Sequence, residues 1–200
     1  MLYPDDSREP SEVALWQRYK QGDGAAFAAI YQKYVRVLYP YGMRIMPNRD
    51  FVRDCIQDLF VELWLYRSTV ADTDSVKFYL FRALRSKLAR GARLENATVS
   101  VELSFPALDW EVSTPYETDL IAEQKVAEQR QRISRGMTLL TKRQQEAIYL
   151  RFYGGLSHEE IAELMQVSVQ SSYNLISKAI KALKESFPLT LAGWLLTWWH

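Results

Sequence analysis

Cysteine is nearly missing: Cys55 is the only one in 200 residues. A lone thiol excludes an internal disulfide, and with no second cysteine or nearby histidine there is no metal-ligand spacing. Cys55 therefore reads as a small buried apolar side chain, and a reducing compartment is the default. Histidine is equally scarce, with His158 in a capping turn and His200 at the last position. Neither stands beside the partners that a catalytic base needs. No glycine-rich phosphate cradle and no clustered nucleophile occurs, so no catalytic residue, metal, cofactor or small-molecule substrate is expected. An enzymatic reading, such as a helical hydrolase, finds no constellation to rest on. Long hydrophobic runs are absent as well. The longest apolar stretch, Leu189 to Trp199, is too short to cross a bilayer as a helix. The first ten residues, polar and acidic, lack the basic flank and apolar run of a secretory signal, so a cytoplasmic location is expected. Strand alternation, internal repeats and low-complexity tracts are also lacking.

Net charge is small too, at +1. That excludes a uniformly basic, adhesive protein and turns attention to how the charge is distributed. The distribution is uneven. Between Ser75 and Leu94 the charged residues are Lys77, Arg82, Arg85, Lys87, Arg90 and Arg93, without one acid. From Glu95 to Glu128 they are acidic except for Lys125. An apolar content of 48% is ample for one or two compact cores at this length.

The front of the chain, residues 11–92, reads as a helical domain. Asp23 can cap a helix in which Phe27, Ile30, Tyr31, Tyr34, Leu38 and Tyr41 share a face, with Pro40 expected to kink or loosen it. Pro47-Asn48 marks a turn, and Asp50 is placed to cap a helix over about 51–66. Ile56, Phe60, Leu63 and Trp64 line one side of that helix, and Asp54, Asp58 and Glu62 recur every fourth residue on another. Like charges at this spacing repel by a few tenths of a kcal/mol per pair. An external basic partner explains such a ladder, and plain solvation is the alternative. After a polar loop, Ser75 caps a helix that interleaves Phe78, Tyr79 and Phe81 with Lys77, Arg82 and Arg85. Aromatics among arginines suit unstacked bases and their backbone. The competing reading makes Leu80, Leu84 and Leu88 core, together with some of the aromatics, and the arginines a solvated face.

Residues 93–118, with Pro106, Pro115 and no sustained period, read as a flexible acidic linker. A polar helical pattern with Ile121, Val126 and Ile133 resumes from Asp119 and leads into residues 141–187. Thr141 with Gln144, and Ser157 with Glu160, have the spacing of capping boxes, so helices are expected to begin near 142 and 158. Gly154-Gly155 offers left-handed positions to end the first. The second carries Ile161, Leu164 and Met165 inward, and Gln166 stands where a left-handed backbone is needed at some cost for a residue with a Cβ. Val167-Ser168 starts another helix almost at once, so the two must cross steeply. In this last helix Val169, Tyr173, Ile176, Ile180, Leu183 and Phe187 are expected to form the buried stripe. Ser168, Gln170, Ser171, Asn174, Ser177, Lys178 and Lys181 remain for a DNA groove. No acid occurs between Ser168 and Lys184, so nothing there repels phosphate. The amides and hydroxyls suit base edges, and the lysines suit phosphates.

Five stretches resemble one family: Asp54 to Trp64 (DCIQDLFVELW), Tyr79 to Arg82 (YLFR), Leu140 to Phe152 (LTKRQQEAIYLRF), Gly155 to Glu163 (GLSHEEIAE) and Ser171 to Ala179 (SSYNLISKA). Together they resemble the extracytoplasmic-function sigma factors, the short two-domain members of the bacterial sigma-70 family, over most of residues 12–187. The resemblance implies an all-α chain. Its parts are a sigma2-like helical bundle over 11–92, the linker 93–118, a sigma4-like helix-turn-helix domain over 119–187, and an apolar tail over 188–200. It implies transcription initiation by binding core RNA polymerase and recognising promoter DNA. Asp54, Gln57, Asp58 and Glu62 would meet a basic coiled-coil surface of the polymerase. Asp72, Thr73, Lys77, Phe78, Arg82, Arg85 and Arg90 would handle the minus-ten element, with the loop from Asp72 to Val76 taking a flipped base. The last helix would read the minus-thirty-five element from the major groove. The acidic linker would thread polymerase channels meant for RNA. Ser86 stands where the family usually has Asn. For the tail, three roles stay open: packing on its own second domain, occluding the DNA-reading surface, or docking an inhibitory anti-sigma protein. The rival to the whole reading is a stand-alone helix-turn-helix regulator with a ligand-sensing helical front domain.

Overall fold

The structure, a computed structural model, describes residues 11–95 and 136–186, with side chains over 11–91 and 136–185. The described residues form helices and no strand. The chain divides into two compact units, Met1–Glu102 and Leu103–His200. Most of the stretch expected as linker, the pattern from Asp119 to Ile133, the stripe position Phe187 and the tail 188–200 lie outside the described residues.

Four helices build the first unit: α1 (Glu12–Lys20), α2 (Gly24–Ile45), α3 (Arg49–Leu65) and α4 (Val76–Glu95). Local chemistry sets most of their ends. Ser11 caps α1 by accepting from the Ala14 N–H at 3.2 Å. The chain then turns through Gly22 at φ 90°, a conformation that a residue without a Cβ adopts at little cost. Asp23 caps α2 through the N–H groups of Ala25 and Ala26. The Ala26 hydrogen bond and the Arg18 side chain hold its carboxyl below the usual range. Pro40, expected to kink or loosen α2, lies inside a helix that runs on to Ile45. Proline forfeits one helical hydrogen bond, and Arg44 Nη1 donates to the Pro40 carbonyl from the next turn at 3.1 Å. The cap of α3 is Asn48, not Asp50: Asn48 Oδ1 accepts from the Phe51 N–H, so the helix starts earlier than expected. Asp50 falls in the first turn, where its charge complements the helix dipole.

Helix α2 packs on α1, α3 and α4, and α3 packs on α4. Trp16, Tyr19, Leu38, Tyr41, Val52, Leu80, Phe81, Leu84 and Leu88 are fully buried between them. Two hydrogen bonds tie α1 across this core. Tyr19 donates to the Leu63 carbonyl at 2.5 Å, and Trp16 Nε1 donates to the Ala71 carbonyl at 3.4 Å. Tyr31, expected on the buried face of α2, is 42% exposed and lies edge-on against Phe60. Gly42 sets the approach of α2 to α3, because a Cβ there would sit 2.6 Å from Val52 Cγ1. Valine cannot swing aside as a long side chain can. Gly42→Ala is therefore expected to destabilise the first unit by about 1–3 kcal/mol. Adding Val52→Ala should return part of that loss, measured as a non-additive double-mutant cycle in urea.

The described part of the second unit holds α5 (Lys142–Phe152), α6 (His158–Met165) and α7 (Val169–Ser186). Both expected capping boxes form, at Thr141 with Gln144 and at Ser157 with Glu160. Of the two glycines after α5, only Gly155 takes a left-handed conformation, at φ 62°. Gln166 does so as well, at φ 54°, closing α6 through N–H bonds to Ala162 and Glu163. Ile161, Leu164 and Met165 are buried.

The stripe on α7 differs from expectation. Val169 and Tyr173 are 39% and 44% exposed, while Ser172, Ile176 and Ala179 are buried, with Ile180 and Leu183 half-buried. Both α5 and α6 pack on α7. Where helices approach closely, small side chains at helical spacing serve better than large ones. Apolar periodicity alone gives no weight to a serine.

Candidate nucleic-acid and protein interfaces

The inward face of α3 is fixed by Val52, Ile56, Leu59 and Leu63, which are buried. This turns Asp54, Gln57 and Asp58 to solvent. Among the described residues neither Asp54 nor Asp58 makes an ion pair. The third acid of the ladder behaves differently. Glu62 Oε1 accepts from Lys87 Nζ of α4 at 2.6 Å, so part of its charge is met within the unit. A cleft of about 340 Å³ opens here between α3 and α4, with Glu62, Tyr66, Tyr79, Arg82, Lys87 and Arg90 on its walls.

Helix α4 separates its two kinds of aromatic residue. Phe81 is fully buried, edge-on to Tyr41, and so belongs to the core and not with the bases. Phe78 and Tyr79 are half-buried, and Tyr79 packs edge-on against Trp16. Burial raises the Tyr79 hydroxyl above its ordinary pKa, with Glu62 adding to the shift. Arg82 and Arg90 are exposed, and Lys77 and Arg85 half-buried, so the cations border the outer side of the helix while its leucines fill the core.

The loop before α4 is held by side chains before any ligand arrives. Asp72 accepts from Lys20 Nζ at 2.5 Å and Gln17 Nε2 at 3.1 Å, and these hydrogen bonds, Lys20 first, hold its carboxyl below the usual range. Thr73 Oγ1 accepts from the Ser75 N–H at 3.1 Å, and Ser75 Oγ accepts from the Phe78 N–H at 3.3 Å. Val76 is buried and anchors the far end.

On α7 the seven residues expected to face DNA are exposed, except Ser171, which is half-buried. Ser168 Oγ caps the helix through the Ser171 N–H at 3.1 Å and lies 2.8 Å from Ser171 Oγ, so part of its hydrogen-bonding capacity is spent locally. Gln170 Nε2 donates to Asn174 Oδ1 at 3.3 Å, aligning two amides one turn apart. Lys181 reaches Glu185 at 3.9 Å; both are exposed, and such a pair contributes little, leaving the lysine able to turn to phosphate.

Two features were not found by sequence reasoning. His158 and Tyr173 stack with ring centroids 3.6 Å apart and planes at 16°, and burial, then the charge of Arg151, lowers the imidazole's pKa. Second, a broad apolar groove of about 900 Å³ lies between α2 and α3, with Tyr31, Tyr39, Phe60, Val61, Trp64 and Leu65 among its lining. Val61 and Leu65 are 48% and 63% exposed. Their spacing one turn apart, outside the inward face of α3, was the available signal.

The Sigma-70, region 4 family model matches residues 130–183. Along most of its length the chain is similar to the ECF RNA polymerase sigma factor SigK of Mycobacterium tuberculosis, 25% identical over 174 residues, covering 86% of this chain and 90% of the relative. The SigK of Mycobacterium ulcerans is 22% identical over 176 residues, with the same coverage of 86% and 90%. Among solved structures, the fold resembles CnrH in complex with the cytosolic domain of CnrY. That match has a TM-score of 0.55 at 18% identity and covers 87% of this chain and 95% of that one. It also resembles the sigma factor RpoE in complex with the anti-sigma factor NepR from Bartonella quintana, with a TM-score of 0.50 at 20% identity, covering 80% and 96%. With region 4 matched over residues 130–183, a likeness to SigK along most of its length and an all-helical architecture, the chain is similar to the extracytoplasmic-function sigma factors of the sigma-70 family.

Proposed function

We propose that the chain carries out sigma-factor function, directing core RNA polymerase to promoters, through three surfaces. The exposed acids of α3, Asp54 and Asp58 with Gln57 beside them, bind the basic coiled coil of the polymerase, and Glu62 joins them at the edge of the α3–α4 cleft. The loop from Asp72 to Val76 takes a base flipped from the minus-ten element. Lys77, Phe78, Arg82, Arg85 and Arg90 bind the strand around it. Helix α7 reads the minus-thirty-five element with Gln170, Ser171, Asn174 and Ser177, while Lys178 and Lys181 hold phosphates. The observation that carries this reading is the pair of oppositely charged faces on neighbouring helices of one unit, anionic on α3 and cationic on α4.

Neither unit alone needs to hold a promoter firmly. Polymerase fixes their spacing, so two weak readings act as one stringent one. Captured bases offset the unstacking cost of a few kcal/mol per base, so melting requires no catalysis by this chain. The chain is proposed to act in the cytoplasm; among the described residues no helix is long and apolar enough to cross a membrane. What supports an anti-sigma protein as a further partner is the groove between α2 and α3, an apolar surface flanking the polymerase-binding acids.

Run-off transcription with bacterial core polymerase on promoters from the source genome is the direct test. Core plus this chain is expected to start transcripts that core alone does not, and initiation nowhere in the library would refute the reading. Footprinting separates the rival: a stand-alone regulator protects DNA without polymerase, whereas this chain is expected to protect it only with polymerase present.

A further inference from the structure

Tyr173 stands on the reading face of α7 and not in its core. Gln170, Tyr173, Asn174, Ser177, Lys178 and Lys181 follow the i, i+3, i+4, i+7, i+8, i+11 spacing of one helical face, and Tyr173 is 44% exposed among residues that are all exposed. It is the one aromatic ring on that face, and it is held in place. One side of the ring is covered by the His158 imidazole, centroids 3.6 Å apart and planes at 16°. His158 Nδ1 in turn lies 3.3 Å from Ser172 Oγ, and Ser172 is fully buried. A fixed residue thus orients the imidazole, and the imidazole orients the tyrosine.

We propose that Tyr173, positioned by His158, contacts a thymine methyl in the minus-thirty-five element; the inference rests on the sigma-factor reading above and deepens it. The neighbouring Gln170 and Asn174 amides serve the hydrogen-bonding edges of bases, and the lysines serve phosphates. A rigid ring with one face and edge open matches the thymine C5-methyl, the apolar group that a base pair presents in the major groove. Because the stack fixes the ring before DNA arrives, little side-chain freedom remains to be lost on binding. His158 is here a positioning residue and need not touch DNA.

The test uses holoenzyme, core polymerase plus the full chain, at limiting concentration on a promoter found by run-off transcription. Thymines of the minus-thirty-five arm are replaced by deoxyuridine, which removes only the methyl. With the wild-type chain, initiation is expected to fall about fourfold per contacted methyl, the weight of one buried methyl group. Tyr173→Phe, which keeps the ring, should retain that drop. Tyr173→Ala should initiate more weakly on the thymine template and show no further fall on uridine. His158→Ala should shrink the ratio between templates. A purely structural role for the stack would lower both templates equally, and a wild-type holoenzyme indifferent to uridine, or a Tyr173→Ala chain with the full ratio, overturns the contact alone. A wild-type holoenzyme that initiates on no thymine template overturns the sigma-factor reading, and the contact with it.

Discussion

Replacing Asp54 and Asp58 together by Lys is expected to weaken binding to core polymerase by roughly two orders of magnitude while leaving the first unit folded. The size follows from turning two attractive contacts into repulsive ones at a charged interface, where like-charge juxtaposition costs several kcal/mol. The innocence of the change for the fold follows from position. Both side chains are exposed, and among the described residues neither has an ionic partner to lose. The two lysines still repel each other one turn apart, but each gains an acid one turn away, Asp50 for position 54 and Glu62 for position 58, so the helix itself should change by no more than a few tenths of a kcal/mol. Co-purification with core polymerase and a thermal melt of the free chain measure the two halves of the statement. Unchanged retention by core, with an unchanged melt, would mean that the acid ladder only faces water. Glu62 serves as an internal comparison. Because it pairs with Lys87, Glu62→Lys disturbs the α3–α4 cleft as well, and its effect on promoter opening is expected to exceed that of either aspartate changed singly.

Phe81→Ala is expected to cost about 3–5 kcal/mol of stability, the range for emptying a fully buried phenylalanine site. In a unit of this size that lowers the first thermal transition by more than about 10 °C. Its i−3 neighbour Phe78, half-buried beside the loop, is expected to cost about 1 kcal/mol when replaced by Ala and to impair promoter opening instead. Chemical denaturation of the two variants, alongside permanganate footprinting of the opened promoter, separates core from DNA-contacting aromatics. A stable Phe81→Ala chain defective only in opening would reverse the assignment, placing Phe81 among the bases as a purely sequence-based reading could.

These two cases mark how far the sequence could be read. The helix-turn-helix was legible because its signals are local: hydroxyl and carboxamide or carboxylate three residues apart build capping boxes wherever a helix begins, and both formed at the expected residues. The acid-free stretch of α4 and the ladder on α3 were legible for the same reason, since charge is carried by single residues and helical spacing turns it into a face. Three assignments needed the fold. Phe81 and Phe78 look alike in a chain that mixes aromatics with arginines, and only the packing of α4 on α2 buries one of them. Tyr173 fits an apolar period, yet the close line of α7 runs through Ser172 and Ala179, whose small size admits the neighbouring helices. Asn48 and Asp50 both carry capping side chains, and the helix starts from the residue whose oxygen reaches a free N–H.

By itself, then, the sequence determined the helical content, the caps that frame the helix-turn-helix, and the sign of the charge on each exposed face, because each depends on residues within a turn or two of one another. Tertiary structure alone decided which apolar rings are buried, which acid of the ladder is met by a lysine from the next helix, and which ring stands stacked on the exposed face of α7. Those outcomes depend on distances between elements far apart in the chain, and helical periodicity carries no information about them.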